Sequence, residues 1–289
     1  MNLRQESGTA LPKIKSDTEH AVPDKSDIVH VRTLFISDVH LGTRGCQAQA
    51  LLEFIRIYEA ETIYLVGDIF DGWRLKASWH WPQAHNDVVQ KILRKVRKGT
   101  RLVYVPGNHD EFMRDYAGST FGGIEIVEEA LHETADGRRM LVLHGDKFDT
   151  VVRNVKWLAL LGDWAYDFAI WLNRWIAKSR RALGLPYWSF SAWSKSKVKR
   201  AVNFISAFEQ AVVADGRRHG ADIVLCGHIH RAAYEHMGDI LYVNTGDWVE
   251  SNTAVVEHSD GRLELIRWTD ASHAVLGLRP EPEALPVAA

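Results

Sequence analysis

The sequence VRTLFISDVH (residues 31–40) sets the pattern for this chain, because an apolar, β-branched run leads directly into two metal-binding side chain types, Asp38 and His40. Four later stretches repeat the design: TIYLVGD (62–68), RLVYVPGNHD (101–110), MLVLHGD (140–146) and IVLCGHIH (223–230). Near-continuous apolar runs are typical of strands covered on both faces. We therefore predict buried strands whose ends deliver polar side chains to one edge of a sheet.

Helical periodicity separates the first three of these strands. Apolar residues recur at helical spacing across 47–60 and across 86–97, so strands and helices alternate in the first half of the chain. Further along, the pattern changes to strands, with runs at 232–237, 240–244, 254–258 and 263–268 separated by turns that suit hairpins. This order predicts an α/β fold, with two sheets packed face to face and helices outside.

Length and composition limit the function classes. The chain has 289 residues and a formal net charge of −2, so it can bury a large core and lacks the basic character of a dedicated nucleic-acid binder. We therefore expect no nucleic-acid partner. The two cysteines, Cys46 and Cys226, imply no disulfide framework.

The two ends of the chain differ from its centre. Residues 1–28 are polar and lack the apolar core of a secretory signal, and residues 276–289 are rich in proline. We predict a disordered leader, a single domain over 29–275 and a flexible tail. The expected location is cytoplasmic, with peripheral contact at the inner face of the cytoplasmic membrane.

A segment of different character lies at about 150–208, which we interpret as an inserted helical cap. It holds several of the 11 tryptophans, and Trp164, Phe168, Trp171 and Trp175 share one helical face. One interpretation is that the segment forms an apolar substrate groove or a helix on the membrane surface, with Ser194, Lys195 and Lys197 as substrate-binding residues. The alternative is that the tryptophans pack the cap onto the body or against a second subunit, as in a homodimer.

Seven side chains at the strand ends share the oxygen and imidazole donors that divalent cations prefer. They are Asp38, His40, Asp68, Asn108, His144, His228 and His230. Two cations roughly 3.5–4 Å apart would stabilise the charge of a phosphoester and activate a water. We predict that one cation takes Asp38, His40, Asp68 and His230, and the other Asp68, Asn108, His144 and His228. Manganese, iron and zinc all accept this donor set.

His109 lies beside the predicted ligand Asn108 and is expected to be a catalytic group rather than a ligand. Its imidazole could contact the phosphoryl group and protonate the leaving oxygen near neutral pH. Asp110 is expected to orient that imidazole, as carboxylates commonly do. Asp71 and Arg114 lie near these motifs and are further candidates for orienting ligands or binding phosphate.

The order of these blocks resembles the calcineurin-like metallophosphoesterase superfamily over about 31–268. The resemblance implies a four-layer αββα sandwich of two mixed sheets and a two-metal site, often with manganese. FISDVHL (35–41), YLVGDIFDGW (64–73) and HGD (144–146) are more specifically similar to the UDP-2,3-diacylglucosamine pyrophosphatases of lipid A biosynthesis. That likeness implies release of UMP and an acylated sugar 1-phosphate, with the insertion forming a lid over acyl chains.

One difference from the established pyrophosphatases means that other substrates must also be considered. The established pyrophosphatases carry Gly-Asn-Arg-Asp where this chain has His109 after Asn108, whereas histidine is usual in the wider superfamily. The favoured substrate is an amphiphile, either nucleotide-linked or phospholipid-like. The alternatives are a phosphodiesterase or phosphatase with a soluble substrate, and an inactive scaffold, which should show broken ligand positions.

Overall fold

Strand β1 (Val29–Ile36) lies near the middle of the structure, a computed structural model that describes residues 28–150 and 190–268. On one side β1 pairs in parallel with β2 (Tyr58–Val66), and on the other it pairs antiparallel with β11 (Thr253–Glu257). The second half of β1 is completely buried, as expected for a strand covered on both faces.

The large sheet also contains β3 (Arg101–Val105), β4 (Thr120–Phe121), β5 (Ile124–Ile126) and β12 (Leu263–Arg267). Its seven strands lie in the order β12-β11-β1-β2-β3-β5-β4. Strands β1, β2, β3 and β5 run in parallel, whereas β4, β11 and β12 pair antiparallel with their neighbours. The sheet is therefore mixed, and the parallel strands end at one common edge.

The small sheet consists of β6 (Ala130–Glu133), β7 (Arg139–Val142), β8 (Ile223–Cys226), β9 (Ala233–Met237) and β10 (Ile240–Asn244). These five strands lie in the order β6-β7-β8-β10-β9. Strands β7, β8 and β10 are parallel, and the two edge strands run antiparallel to them.

Four helices are described: α1 (Ala48–Ile57), α2 (Gly72–Ala77), α3 (Gln83–Arg97) and α4 (Phe190–Arg218), with short 3-10 helices at Glu111–Tyr116 and Asp146–Thr150. Helices α1 and α3 bury apolar faces against the large sheet, where residues such as Phe54, Val88 and Leu34 form one cluster. Within the described residues, no helix is long and apolar enough to cross a membrane.

Alternate residues of the strands face different layers. Phe35 and Val66 of the large sheet pack against Val142 and Leu225 of the small sheet, and this cluster fills the space between the sheets. The outer face of the small sheet packs against α4 in a separate cluster that includes Phe208. The order of layers is helices, large sheet, small sheet, helix, so the predicted four-layer αββα fold is confirmed.

Two local predictions from sequence were inaccurate. The helix expected across 47–60 ends at Ile57, because residues from Tyr58 onward join β2 and pair with the start of β1. The two-residue strand β4 and the strand β6 were not predicted.

The predicted leader, the tail from residue 276 and most of the predicted cap, 151–189, lie outside the described residues. Helix α4 runs through residue 208, where the cap was expected to end, and Phe208 belongs to the core of the small-sheet side. The division into leader, domain, cap and tail stays a prediction.

Candidate metal centre

Five strands end at the same edge of the sandwich, which we call the ligand edge. Strands β1, β2 and β3 of the large sheet lead to Asp38 and His40, to Asp68, and to Asn108. Strands β7 and β8 of the small sheet lead to His144 and to His228 and His230. The ligand edge therefore combines side chains from both sheets, as the sequence predicted.

Most of the predicted ligands have an unusual backbone conformation. Positive φ angles occur at Asp38 (50°), His40 (53°), Asp68 (54°), His228 (73°) and His230 (53°). This left-handed region is uncommon for residues other than glycine and is often found at functional sites.

Three side chains form a first group around Asp38. The ligand atoms of Asp38, His40 and His230 all lie within 4.8 Å of one another. His230 Nε2 is 3.3 Å from Asp38 Oδ1 and 3.2 Å from His40 Nε2. Asp38 also accepts the backbone N–H of His228 at 3.0 Å. A carboxylate with two converging imidazoles is a donor set that suits a transition metal.

A second group is built around Asp68. The ligand atoms of Asp68, His144 and His228 lie within 4.8 Å of one another. His144 Nε2 lies 3.6 Å from carboxylate oxygens of both Asp68 and Asp38, so this imidazole sits between the two groups. His40 Nε2 is 4.0 Å from Asp68 Oδ2, which brings Asp68 within reach of the first group as well.

At the ligand edge, buried polar atoms that find no hydrogen-bond partner among the described residues include Asn108 Oδ1 and His144 Nε2. Burying a polar atom without a partner costs roughly 1–3 kcal/mol. Both atoms are good ligands for a divalent cation. The residues present therefore fit metal ions, and these two atoms are where a cation would satisfy an otherwise unmet bonding capacity.

Two glycines allow the ligand loops to approach each other closely. A Cβ at Gly107 would lie 2.2 Å from Asp68 Oδ1 and 2.6 Å from His144 Cε1. At Gly227, a Cβ would lie 2.3 Å from Asp38 Oδ2. Each distance is far below ordinary van der Waals contact, so only glycine leaves room for these ligands.

His109 is held by a different carboxylate from the one expected. Its Nδ1 lies 3.1 Å from Oδ2 of Asp71, the same oxygen that lies 3.3 Å from His40 Nδ1. The Asp71 carboxylate therefore joins a predicted ligand to the predicted general acid. His109 Nε2 points toward the metal groups, 4.0 Å from Asp68 Oδ2, and its ring packs 4.2 Å from that of Trp73.

The prediction that Asp110 orients His109 is thus corrected: the carboxylate beside the imidazole is Asp71. Asp110 Oδ1 accepts the backbone N–H of Gly107 at 2.6 Å, and Oδ2 accepts that of Ile69 at 2.8 Å and the Tyr104 hydroxyl. Burial raises the pKa of Asp110 above its ordinary value. Asp110 ties the loop after β2 to the loop after β3.

The histidines delivered by the small sheet also have carboxylate partners. His144 Nδ1 lies 3.2 Å from Asp146 Oδ1, and Arg114 donates to both oxygens of Asp146 at 2.8 Å. His228 Nε2 lies 2.7 Å from Asp149 Oδ1. Carboxylates in this position fix the tautomer and orientation of metal-binding imidazoles. Arg114 is placed behind the His144 ligand, and its predicted contact with substrate stays a prediction.

The electrostatics of the site favour cations. Burial alone would lower the pKa of His144, but the charge of Asp68 and the hydrogen bond to Asp146 raise it well above its ordinary value. Burial would raise the pKa of Asp71, but hydrogen bonds from His109 and His40 lower it below its ordinary range. The site therefore carries a negative field that attracts protons or a divalent cation.

Sequence reasoning gave little weight to Asp71 and none to Asp146 and Asp149 as partners of the ligands. A local signal existed for Asp71, which caps α2 by accepting the Arg74 backbone N–H at 2.8 Å. Of the predicted substrate-binding residues in the cap, Trp164 and Trp171 lie outside the described residues. Ser194, Lys195 and Lys197 belong to helix α4, and their contact with substrate stays a prediction.

The sequence of this chain is similar to those of known hydrolases. The sequence profile of the calcineurin-like phosphoesterase family matches residues 31–232. The chain is 26% identical over 224 residues to the UDP-2,3-diacylglucosamine hydrolase of Azotobacter vinelandii, which covers 75% of this chain and 90% of that protein. It is 27% identical over 240 residues to the UDP-2,3-diacylglucosamine hydrolase of Pseudomonas aeruginosa, covering 80% and 97%. Among solved structures, the Escherichia coli phosphoesterase Yfce covers 82% of this chain and 99% of its own, with a TM-score of 0.40 and 13% identity.

Proposed function

The chain belongs to the calcineurin-like phosphoesterase family, and from that premise we propose that it hydrolyses the diphosphate of UDP-2,3-diacylglucosamine or a closely related amphiphile. It is a metal-dependent phosphoesterase. The bond cleaved and the substrate are the proposal. The two hydrolases compared above, which align over most of their length, support it.

The single observation that carries the two-metal proposal is that Asn108 Oδ1 and His144 Nε2 are buried and find no hydrogen-bond partner in the part of the chain that the structure describes. We assign one cation to Asp38, His40, Asp68 and His230, and the other to Asp68, Asn108, His144 and His228. The two groups of converging ligand atoms support this division, because one contains Asp38 and the other Asp68. Manganese is the proposed ion, and the same donors would also accept iron or zinc.

Bound cations would polarise the phosphoryl oxygens and acidify the attacking water. The residues of the chain supply orientation and a proton. Asp71 holds His109 through Nδ1, which leaves Nε2 directed at the metal groups. His109 is proposed to donate its Nε2 proton to the leaving oxygen, a role typically worth 10²–10⁴-fold in rate.

For the lipid substrate, water would attack one phosphorus of the diphosphate and release UMP with an acylated sugar 1-phosphate. Such a substrate resides in a bilayer, so the proposal includes action at the inner face of the cytoplasmic membrane, in lipid A biosynthesis. Residues of the cap, Trp164, Trp171, Ser194, Lys195 and Lys197, are proposed to contact the amphiphile. Their tryptophan and basic character supports this role.

The direct test is an assay of the purified full chain with UDP-2,3-diacylglucosamine in manganese, with UMP measured by chromatography. We expect UMP release that requires metal and is abolished by Asp68→Ala. Bis(p-nitrophenyl) phosphate serves as a generic substrate in parallel. Generic hydrolysis without UMP release would refute the lipid substrate and leave the two-metal chemistry standing.

The second candidate is a phosphodiesterase or phosphatase for a different, soluble substrate. His109 favours it, since the established lipid pyrophosphatases carry arginine there. The two candidates differ in the product of the parallel assays. UMP release from UDP-2,3-diacylglucosamine supports the lipid diphosphate, whereas turnover of soluble phosphoesters without UMP release supports the second candidate.

A further inference from the structure

An exposed run of aromatic and basic residues lies beside the metal groups and is not used by the chemistry above. We call residues 73–81, WRLKASWHW, the tryptophan segment. It comprises most of α2 and the loop that follows. Trp73 is 47% exposed and Trp79 is 75% exposed. Exposed tryptophans at this density are unusual on a protein surface and mark an interaction site.

The charge of the tryptophan segment has a single sign. Arg74 and Lys76 are both exposed, and no Asp or Glu occurs between Asp71 and Asp87. Among the residues that the structure describes, neither Arg74 nor Lys76 forms an ion pair. The surface thus combines two cations with exposed indole rings and no acidic side chain of its own.

The tryptophan segment is tied firmly to the ligand loops. Trp81 stacks on Phe70 with ring centroids 6.1 Å apart and an interplanar angle of 16°. The buried His85, whose ring packs edge-on against Trp81, accepts the Gly42 backbone N–H at 3.1 Å. A surface bound through this segment would therefore be held at a fixed height relative to the metal centre.

We propose that the tryptophan segment docks the protein onto an anionic lipid bilayer. The inference rests on the proposed function, because an amphiphilic substrate must be reached at a membrane surface. Tryptophan rings prefer the headgroup region of a bilayer, and basic side chains are attracted to anionic headgroups. The location differs from the cap, for which the sequence alone offered membrane contact as one of two interpretations. Trp73 extends this face to the ring of His109, 4.2 Å away, so docking would bring the headgroup layer to the catalytic imidazole.

The test is sedimentation of the full chain with vesicles of phosphatidylethanolamine and phosphatidylglycerol, compared with vesicles of phosphatidylcholine. We expect binding to the anionic vesicles that weakens as salt rises. Lys76→Gln should reduce the partition coefficient about fivefold, the effect typical of one basic residue at an anionic surface. Trp79→Ser should reduce it by a similar or larger factor, and the two changes together by the product.

The matched control is Tyr234→Ser, which removes an aromatic ring that is 43% exposed on β9 of the small sheet. It should bind vesicles like the wild type. All variants should hydrolyse bis(p-nitrophenyl) phosphate at the wild-type rate, since neither Lys76 nor Trp79 contacts the metal groups.

Wild-type vesicle binding in Lys76→Gln and Trp79→Ser, or no binding by the wild type, overturns the proposal. Vesicle binding without UMP release would refute the lipid substrate alone, and loss of binding only on deletion of the cap would assign docking to the cap.

Discussion

Replacing Gly107 by alanine should reduce metal binding and turnover more than it reduces stability. The added Cβ would lie 2.2 Å from Asp68 Oδ1, 2.6 Å from His144 Cε1 and 2.7 Å from the Asp68 backbone nitrogen, where ordinary contact begins at 3.4 Å. One or both ligands must therefore move by about 1 Å, a displacement that can cost about 10²-fold in catalysis. Because Asp68 is the proposed bridge between the cations, we expect both metal content and turnover to fall.

The assay measures bound metal by mass spectrometry and kcat on bis(p-nitrophenyl) phosphate in manganese, with thermal unfolding of the metal-free protein recorded in parallel. Gly45→Ala is the matched control, because a Cβ there would meet only Val249 Cγ1 at 3.2 Å and Gly45 does not have a positive φ. We expect Gly107→Ala to lose at least about 10²-fold in kcat, while Gly45→Ala behaves as wild type. Full metal occupancy with normal turnover in Gly107→Ala would refute the close-packed ligand geometry.

Three further predictions follow from the site and the core. His109→Ala should keep its metal but lose roughly 10²–10⁴-fold in kcat, and unchanged turnover would remove His109 from the mechanism. Asp71→Asn should lower kcat more than metal content and shift the pH–rate profile, because the orientation of His109 depends on that carboxylate; a profile identical to wild type would contradict this role. Glu257 is fully buried, and although burial raises its pKa, hydrogen bonds from His132 and Thr33 lower it to about 2 from an ordinary 4.5. Its stabilisation is complete above pH 4.5 and is lost as the pH falls toward 2, an effect of about 3 kcal/mol. Denaturant titrations in EDTA should show a shallower loss of stability over this range in Glu257→Gln, and parallel curves would refute the assignment.

The sequence predicted the strands at the ligand edge closely, and the reason is physical. The run at 101–105 follows Gly99 and Thr100 and is followed by Pro106 and Gly107, so strand β3 could be placed correctly. Residues 58–60 were assigned to the preceding helix instead, because their apolar spacing fits either structure. Their pairing with the first residues of β1 decides the outcome, and that pairing depends on long-range contacts.

The partners of the ligands were harder to predict than the ligands themselves. Asp110 follows His109 in sequence, which made it the natural candidate to orient that imidazole. The chain turns its carboxylate inward to the backbone of the neighbouring loop, while Asp71 reaches His109 across the gap between two loops. A contact of this kind depends on how two loops meet at the edge of the sheet. The spacing of residues in the sequence does not reveal it.

The left-handed backbone of the ligands has a consequence for the evolution and engineering of this protein. Holding a residue other than glycine at positive φ costs roughly 1–2 kcal/mol, and Asp38, His40, Asp68, His228 and His230 are all held there. Replacing any one of them by glycine should relieve strain in the metal-free protein while removing a proposed ligand. Selection for thermal stability alone would therefore work against metal binding at these five positions, because each such loss is expected to stabilise the metal-free protein.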